Sequence, residues 1–344
     1  MTTDVADPDR RMDRAALEAR AAKAASVLTE LGAGPGVPLA VIMRNDLEQL
    51  ILMRAAALSG AVIVAINWHG AAEEVGAILD DSGAELVVAH RDLIGPLDPV
   101  LRARGVIGVT PGPALCAAYG IAPDDATAEP GLPEWAALVA AAQPLAVRQP
   151  MRPIMRYTSG STGKPKGVRR LSGGPSVDYE AVLRRVGDEM MRFRPGARYL
   201  TAAPLYHSAP STLTSCALVS EGVSAYVAPR FEAESFLATI AAERITHIYL
   251  VPTMMSRMLK LPEAVKARYD LSSVEFCVST GSPWPHDLKA AMIAWWGPVF
   301  WESYGATEIG FQIMRPGRAG GDAELHRREI VARLDRLGQL EHPA

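Results

Sequence analysis

The sequence predicts an α/β fold in which a parallel sheet is covered by helices on both faces, and three observations carry that expectation. The chain has 344 residues, 49% of them hydrophobic and 21% charged. It can therefore bury a sizeable core, divided into one large or two ordinary domains. Short apolar runs alternate with helical patterns near the start and again from Tyr199 onward, the pattern of strands buried on both faces. Between these halves, Tyr157-Thr-Ser-Gly-Ser-Thr-Gly-Lys-Pro-Lys-Gly-Val168 packs hydroxyls, glycines and lysines behind an apolar strand.

Along the chain, residues 1–14 are polar and acidic and read as a flexible arm, lacking the basic start and apolar run of a secretory signal. Leu17, Ala21, Ala24, Leu28 and Leu31 recur at helical spacing, and Gly32-Ala-Gly-Pro-Gly36 ends that helix. Strands are expected at Pro38–Met43, Ala61–Ile66 and Glu85–Ala89, with helices at about 46–58 and 71–82 between them. From 111 to 150 the pattern weakens into an Ala- and Pro-rich connection with one helix near Pro133–Ala142. Strands resume at Tyr199–Ala203, Val223–Val227, Ile245–Leu250 and Val274–Val278, with helices at about 232–243 and 285–296.

Net charge is −3 with dispersed Lys and Arg, so no extended basic face exists to track nucleic acid. No stretch supplies about eighteen uninterrupted apolar residues, so no membrane span is expected and a cytoplasmic location follows by default. Cys116, Cys216 and Cys277 lack metal-site spacing and read as small buried apolar residues.

The 157–168 stretch is built to hold phosphate. Glycines admit an anion close to the backbone, N–H groups and hydroxyls donate to its oxygens, and lysines neutralise charge. It is not a Walker A loop: Thr158 stands where that pattern needs Gly, and Pro165 follows Lys164 where it needs Ser or Thr. A solvated Gly/Ser linker is the bland alternative, opposed by the strand-like lead-in and by two lysines two residues apart.

Further along stand Pro204-Leu-Tyr-His-Ser-Ala-Pro210, Val251-Pro-Thr-Met254, Leu271-Ser-Ser-Val274, Thr280-Gly-Ser-Pro283 and Glu302-Ser-Tyr-Gly-Ala-Thr-Glu308. With the phosphate loop, these resemble, in order and separation, the adenylate-forming (AMP-binding) acyl-CoA synthetases over roughly residues 15–312. Asn67-Trp-His69 and Trp295-Trp-Gly-Pro298 look like the branch acting on fatty or aromatic carboxylates. The resemblance implies the stacked α/β subdomains of that family's large domain, and ATP-dependent activation of a carboxylic acid to an acyl-adenylate and then a CoA thioester. ATP, Mg2+ and coenzyme A are the implied cofactor and co-substrates.

By the same resemblance, Thr158, Ser159, Gly160, Ser161, Thr162, Gly163 and Lys164 would wrap the β- and γ-phosphates, with Lys166 nearby. Thr158 and Glu308 would contact magnesium, and Thr158, Lys164, Lys166 and Glu308 make up the catalytic set. Thr307 would reach the α-phosphate, Tyr304 with Gly305 would lie against the adenine, and Gly281, Ser282 and Pro283 would form the opposite wall. Glu302 joins this nucleotide set. His207 would gate the acyl pocket, and Thr253 and Met254 would line it, with Met255 a further candidate. Relatives have Gly where Thr280 stands; a β-branched residue there disfavours positive φ, which leads us to expect an altered adenine pocket.

The resemblance lapses near 312. The family's ribose-binding Asp, hinge and small C-terminal domain with its catalytic Lys find no match, and 315–344 reads as an Arg-rich amphipathic tail. The chain is thus expected to be a truncated, frameshifted or fragmentary large domain with impaired activity. The alternative function is a noncatalytic nucleotide- or acyl-binding remnant, and a third reading is a related adenylating enzyme that passes the acyl group to a carrier protein or to oxygen.

Overall fold

The computed structural model describes residues 4–127, 131–159, 165–168, 177–282, 284–306 and 310–314. The chain begins with a hairpin, β1 (Asp4–Ala6) and β2 (Arg11–Asp13), and Asp13 then caps α1 (Arg14–Glu30) by accepting from the Ala16 N–H. The expected flexible arm is therefore, from residue 4, part of a sheet. The cause is pairing: β1 lies parallel to β10, far along the chain, and the Asp4 N–H donates to Ser224 Oγ.

Then follow β3 (Pro38–Ile42), α2 (Leu47–Ser59), β4 (Val62–Ala65), α3 (Ala72–Ser82), β5 (Leu86–His90), α4 (Ile94–Leu101) and β6 (Gly105–Val109). The expected connection at 111–150 holds α5 (Pro113–Tyr119), α6 (Pro123–Ala126) and α7 (Trp135–Ala141). Next come β7 (Met155–Ser159), β8 (Pro165–Val168), α8 (Tyr179–Glu189), β9 (Arg198–Thr201), α9 (Ser208–Val219) and β10 (Ser224–Val227). The last described elements are α10 (Ala233–Glu243), β11 (His247–Leu250), α11 (Pro252–Leu259), α12 (Glu263–Lys266), β12 (Phe276–Ser279), α13 (His286–Trp296), β13 (Phe300–Ala306) and β14 (Gly310–Met314).

Two sheets result. A six-stranded sheet runs β6-β5-β3-β4-β7-β8, parallel except for β8, and an eight-stranded sheet runs β14-β13-β12-β11-β9-β10-β1-β2, antiparallel only at its two edge strands. Strand alternation sorts the core into layers. Leu39 and Val41 of β3 face a middle core with Tyr199 of β9, while Ala40 and Ile42 face an outer core under α3 and α4. Leu200 and Ile248 face a third core with Phe236 of α10. The order is helices, sheet, helices, sheet, helices.

The middle layer centres on α2, every residue of which is buried. A helix apolar on one stripe could not sit there, so its charged side chains are paired. Arg54 Nε donates to Glu18 at 2.7 Å and its Nη1 to Glu180 at 2.9 Å. Gly60 ends the helix at φ +73°, where a Cβ would meet Gln149 Cβ at 2.9 Å, so both conformation and space require glycine.

His247 is a second buried ionisable group. It is 3% exposed, lies between the rings of Phe193 and Phe276, and its Nδ1 meets Thr246 Oγ1 at 2.7 Å. Burial pushes its pKa down to about 4. The unfolded chain takes up this proton near pH 6.5, so stability is whole above that value and falls as pH drops towards 4. The drop amounts to about 3 kcal/mol once the folded group too is protonated. Urea titrations between pH 7 and 4 should show this slope in the natural chain and a shallower one in His247→Gln; equal slopes would refute the assignment.

Candidate active site

Strand order places the site. From β9 the chain passes to β10 on one side and returns to β11 on the other, so the order reverses between β9 and β11. Crevices at the carboxyl ends of strands beside such a reversal are where parallel sheets hold ligands. His207 lies between β9 and α9, and Thr253 and Met254 open α11 directly after β11. Gly281 and Ser282 follow β12, and the Ser279–Glu302 register puts Tyr304 of β13 level with Gly281. Residues scattered over about a hundred positions thus share one edge of the eight-stranded sheet.

A second candidate element belongs to the six-stranded sheet. In the β7–β8 hairpin, Arg156 pairs with Val168, Tyr157 with Gly167 and Thr158 with Lys166. Directly opposed residues point the same way, so Thr158 and exposed Lys166 stand side by side on one face, with Arg156 on the same side. Tyr157 points the other way: its hydroxyl donates to Asp81 of α3 at 2.6 Å, and burial together with that carboxylate raises its pKa.

Arg156 itself is buried and reaches across the layer. Its Nη2 donates to Ser211 Oγ at 2.9 Å and to Thr212 Oγ1 at 3.0 Å in the first turns of α9. A second tie is Asn45, at the end of β3, whose Nδ2 donates to the Ala203 and Ala228 carbonyls while its Oδ1 accepts from Leu205 N–H at 3.0 Å. Sequence reading missed both residues, because neither stands in a motif. For Arg156 the signal was a charged residue within an apolar run; Asn45, between Arg44 and Asp46, gave none.

At the carboxyl ends of β3 and β5 the Arg44 N–H donates to His90 Nδ1, which leaves the ring proton on Nε2 to donate to Asp46 Oδ2 at 3.0 Å. The Arg44 guanidinium pairs with Asp92 at 2.6 Å and lies over Trp68 and Tyr119. Trp68 of the Asn67-Trp-His69 segment is thus an aromatic partner for a buried cation.

His207 caps α9 through its carbonyl, which accepts from the Ser211 N–H at 3.3 Å and from Ser211 Oγ at 2.7 Å. Its ring lies beside Tyr206 and is exposed on one side, yet crowded enough that lost hydration lowers its pKa from the ordinary value. The neutral ring is thereby favoured near pH 7. Met254 is half-buried against two cores, whereas Met255 and Met258 are fully buried in one of them. Met255, which the sequence offers as pocket wall or core, is packed in that core. A cavity of about 10 Å³, room for one water, lies between the layers beside Gln49, Leu205, Tyr206 and Ser211.

One expectation changes, and one site residue has a partner of its own. Positive φ falls on Gly281, at +96°, and not on Thr280, so the β-branched residue creates no backbone conflict there. The carboxylate of Glu302, expected in the nucleotide set, is paired with the Lys289 ammonium of α13, a tie between α13 and β13. Gly160, Ser161, Thr162, Gly163, Lys164, Pro283, Thr307 and Glu308 lie outside the described residues, as does the 315–344 tail; Ser159, Tyr304 and Gly305 are placed by backbone alone.

The donor set that is described, a hydroxyl and an ammonium side by side, fits a polyphosphate. For magnesium it offers only the Thr158 hydroxyl, and a cation that keeps most of its ligands as water and phosphate oxygens needs few from protein. No cluster of three or more His, Cys, Asp or Glu able to hold a metal occurs among the described residues. Nor is any helix among them long and apolar enough to cross a membrane.

Comparison with known proteins accords with this arrangement. The family profile described as AMP-binding enzyme matches residues 2–329, which carries the likeness past the lapse near 312. A long-chain-fatty-acid–CoA ligase of Mycobacterium tuberculosis is 32% identical over 281 residues, covering 81% of this chain and 52% of that protein. A feruloyl-CoA synthase of Amycolatopsis is 29% identical over 308 residues, covering 89% and 56%. Among solved structures, the inhibitor-bound N-terminal domain of FACL13 from Mycobacterium tuberculosis superposes with TM-score 0.69 at 28% identity, covering 89% of this chain and 72% of that one. The chain spans about half the length of the curated relatives it matches.

Proposed function

Because the chain belongs to the AMP-binding enzyme family, we propose that it carries out ATP-dependent activation of a carboxylic acid, a fatty acid foremost, on the way to a CoA thioester. A carboxylate oxygen attacks the α-phosphorus of ATP and pyrophosphate leaves; the thiol sulfur of coenzyme A then attacks the acyl carbon and AMP leaves. The observation that carries this reading is the Thr158–Lys166 pair, set on a hairpin that Arg156 ties to α9, the helix that follows β9 at the strand-order reversal.

In this reading Thr158, Ser159, Gly160, Ser161, Thr162, Gly163, Lys164 and Lys166 hold the phosphates, and Thr158 and Glu308 hold magnesium, which supplies charge neutralisation at the reacting phosphate. Tyr304 and Gly305 lie on one side of the adenine and Gly281, Ser282 and Pro283 on the other, with Thr307 at the α-phosphate. His207, Thr253 and Met254 border the acyl group. A carboxylate is already ionised near neutral pH, so a general base is not required and a neutral His207 fits a gate. The names of the relatives, a fatty-acid ligase and a feruloyl synthase among them, support a carboxylic acid without ranking these two classes.

The test is ATP–pyrophosphate exchange over a panel of fatty and aryl carboxylates, alongside calorimetry with millimolar Mg-ATP. Exchange that depends on the added acid is the expected result. Nucleotide heat without exchange would favour a binding remnant, and zero heat from well-folded protein would end the proposal.

A further inference from the structure

Arg156 is one of the few charged residues inside the middle layer, 5% exposed on a strand whose neighbours are apolar or half-buried. It stands two residues before Thr158 and on the same face of β7. Its Nη2 donates to Ser211 Oγ and Thr212 Oγ1, both on α9, while Nη1 meets the Ile154 carbonyl of its own chain segment at 3.4 Å. Ser211 Oγ in turn donates to the His207 carbonyl at 2.7 Å, with the Ser208 carbonyl at 3.3 Å. An unbroken chain of hydrogen bonds therefore runs from the hairpin through one guanidinium to the backbone of His207.

Stability alone does not account for this placement. The first turns of a helix carry the positive end of its dipole, where an anion is favoured and a cation is not. Burying a guanidinium costs more than burying an apolar side chain of similar volume. What the guanidinium does supply is rigidity and direction. Its planar fork holds two hydroxyls at once and transmits a shift of β7 to the segment between β9 and α9.

We propose that Arg156 is a positioning residue that couples the nucleotide-binding hairpin to the His207 segment, so that nucleotide and carboxylate bind cooperatively. The inference rests on the function proposed above. Nucleotide settling against Thr158 and Lys166 fixes β7, Arg156 fixes Ser211 and Thr212, and the His207 carbonyl is held in the position that leaves the acyl side open. By reciprocity, a bound carboxylate must strengthen nucleotide binding by the same factor.

Calorimetry tests this with an ATP analogue bearing a methylene between the α- and β-phosphorus, which cannot release pyrophosphate, and with dodecanoate as the carboxylate. In the natural chain the dodecanoate dissociation constant should fall at least about fivefold when the analogue saturates the protein. That factor should drop to about one in Arg156→Met and in the Ser211→Ala, Thr212→Val pair, and return in part in Arg156→Lys. The analogue's own affinity should move less than about threefold, since none of the three residues is placed on the phosphates. If Arg156→Met does not fold, the hydroxyl variants alone decide, because they keep the guanidinium and remove only its acceptors. Folded variants that retain the natural coupling factor would overturn the inference and leave the proposed function standing. A natural chain that binds neither probe would overturn both.

Discussion

Replacing Glu48 with alanine should cost the folded chain about 3–5 kcal/mol, the usual penalty for stripping one partner from a buried charged cluster. Glu48 lies in the first turn of α2 with its side chain 5% exposed. Its Oε1 accepts from Arg10 Nη1 at 2.7 Å and Arg20 Nη2 at 3.0 Å, and its Oε2 accepts from the indole N–H of Trp135 at 3.0 Å. Both arginines are partly exposed and can regain water. Trp135 is fully buried and cannot, so its N–H would lose its partner outright. Glu48→Gln keeps the shape but turns an N–H₂ towards one set of donors, and should fall between the two. Urea midpoints followed by circular dichroism would rank them; a loss below about 1 kcal/mol for alanine would show that the cluster contributes little net stability.

Lys166→Ala should lower ATP–pyrophosphate exchange by about 10²–10³, the typical cost of removing one preorganised donor to developing charge. Stability should change by less than about 0.5 kcal/mol, because the side chain is exposed. The contrast matters, since β8 is an edge strand and a lysine there could equally be a guard against edge-to-edge association. A guard lysine predicts unchanged exchange and greater aggregation. Thr158→Val, which removes the hydroxyl beside it at nearly constant shape, should lower exchange in the same direction. If both variants exchange at the natural rate, the pair is not part of the phosphate grip.

Strands buried on both faces were the most legible part of the fold. β3, β4 and β5 fall within one or two residues of their expected bounds, because a parallel strand between helical layers must be apolar throughout. β6 was not read, since its two glycines interrupt the apolar run and only pairing with β5 makes Gly105–Val109 a strand. β1 and β2 escaped for the same reason: three residues carry no periodicity. α9 was not among the expected helices, because Ser208-Ala-Pro-Ser-Thr is poor helix-forming sequence. It is held by burial and by Arg156, both contributed from elsewhere in the chain.

The candidate site was legible as motifs and illegible as geometry. That Thr158 and Lys166 share a face follows from hairpin register, and that Tyr157 does not follows from alternation; neither can be told from composition. Glu302 and Met255 show the converse. Each stands in or beside a motif, yet one is engaged by Lys289 and the other lies in a core. Motif membership fixes where the backbone goes, and packing decides which side chains remain for chemistry.

The pairing of β1 with β10 has a consequence for biosynthesis. Asp4 and Ser224 are 220 positions apart, so at ribosomal speeds of about 5–20 residues per second the first strand waits roughly 10–40 s for its neighbour to be made. Throughout that interval a strand with an open flank is available to other nascent chains. Slowing elongation lengthens this exposure, and holdase chaperones acting on the amino-terminal segment should raise the soluble yield of the protein.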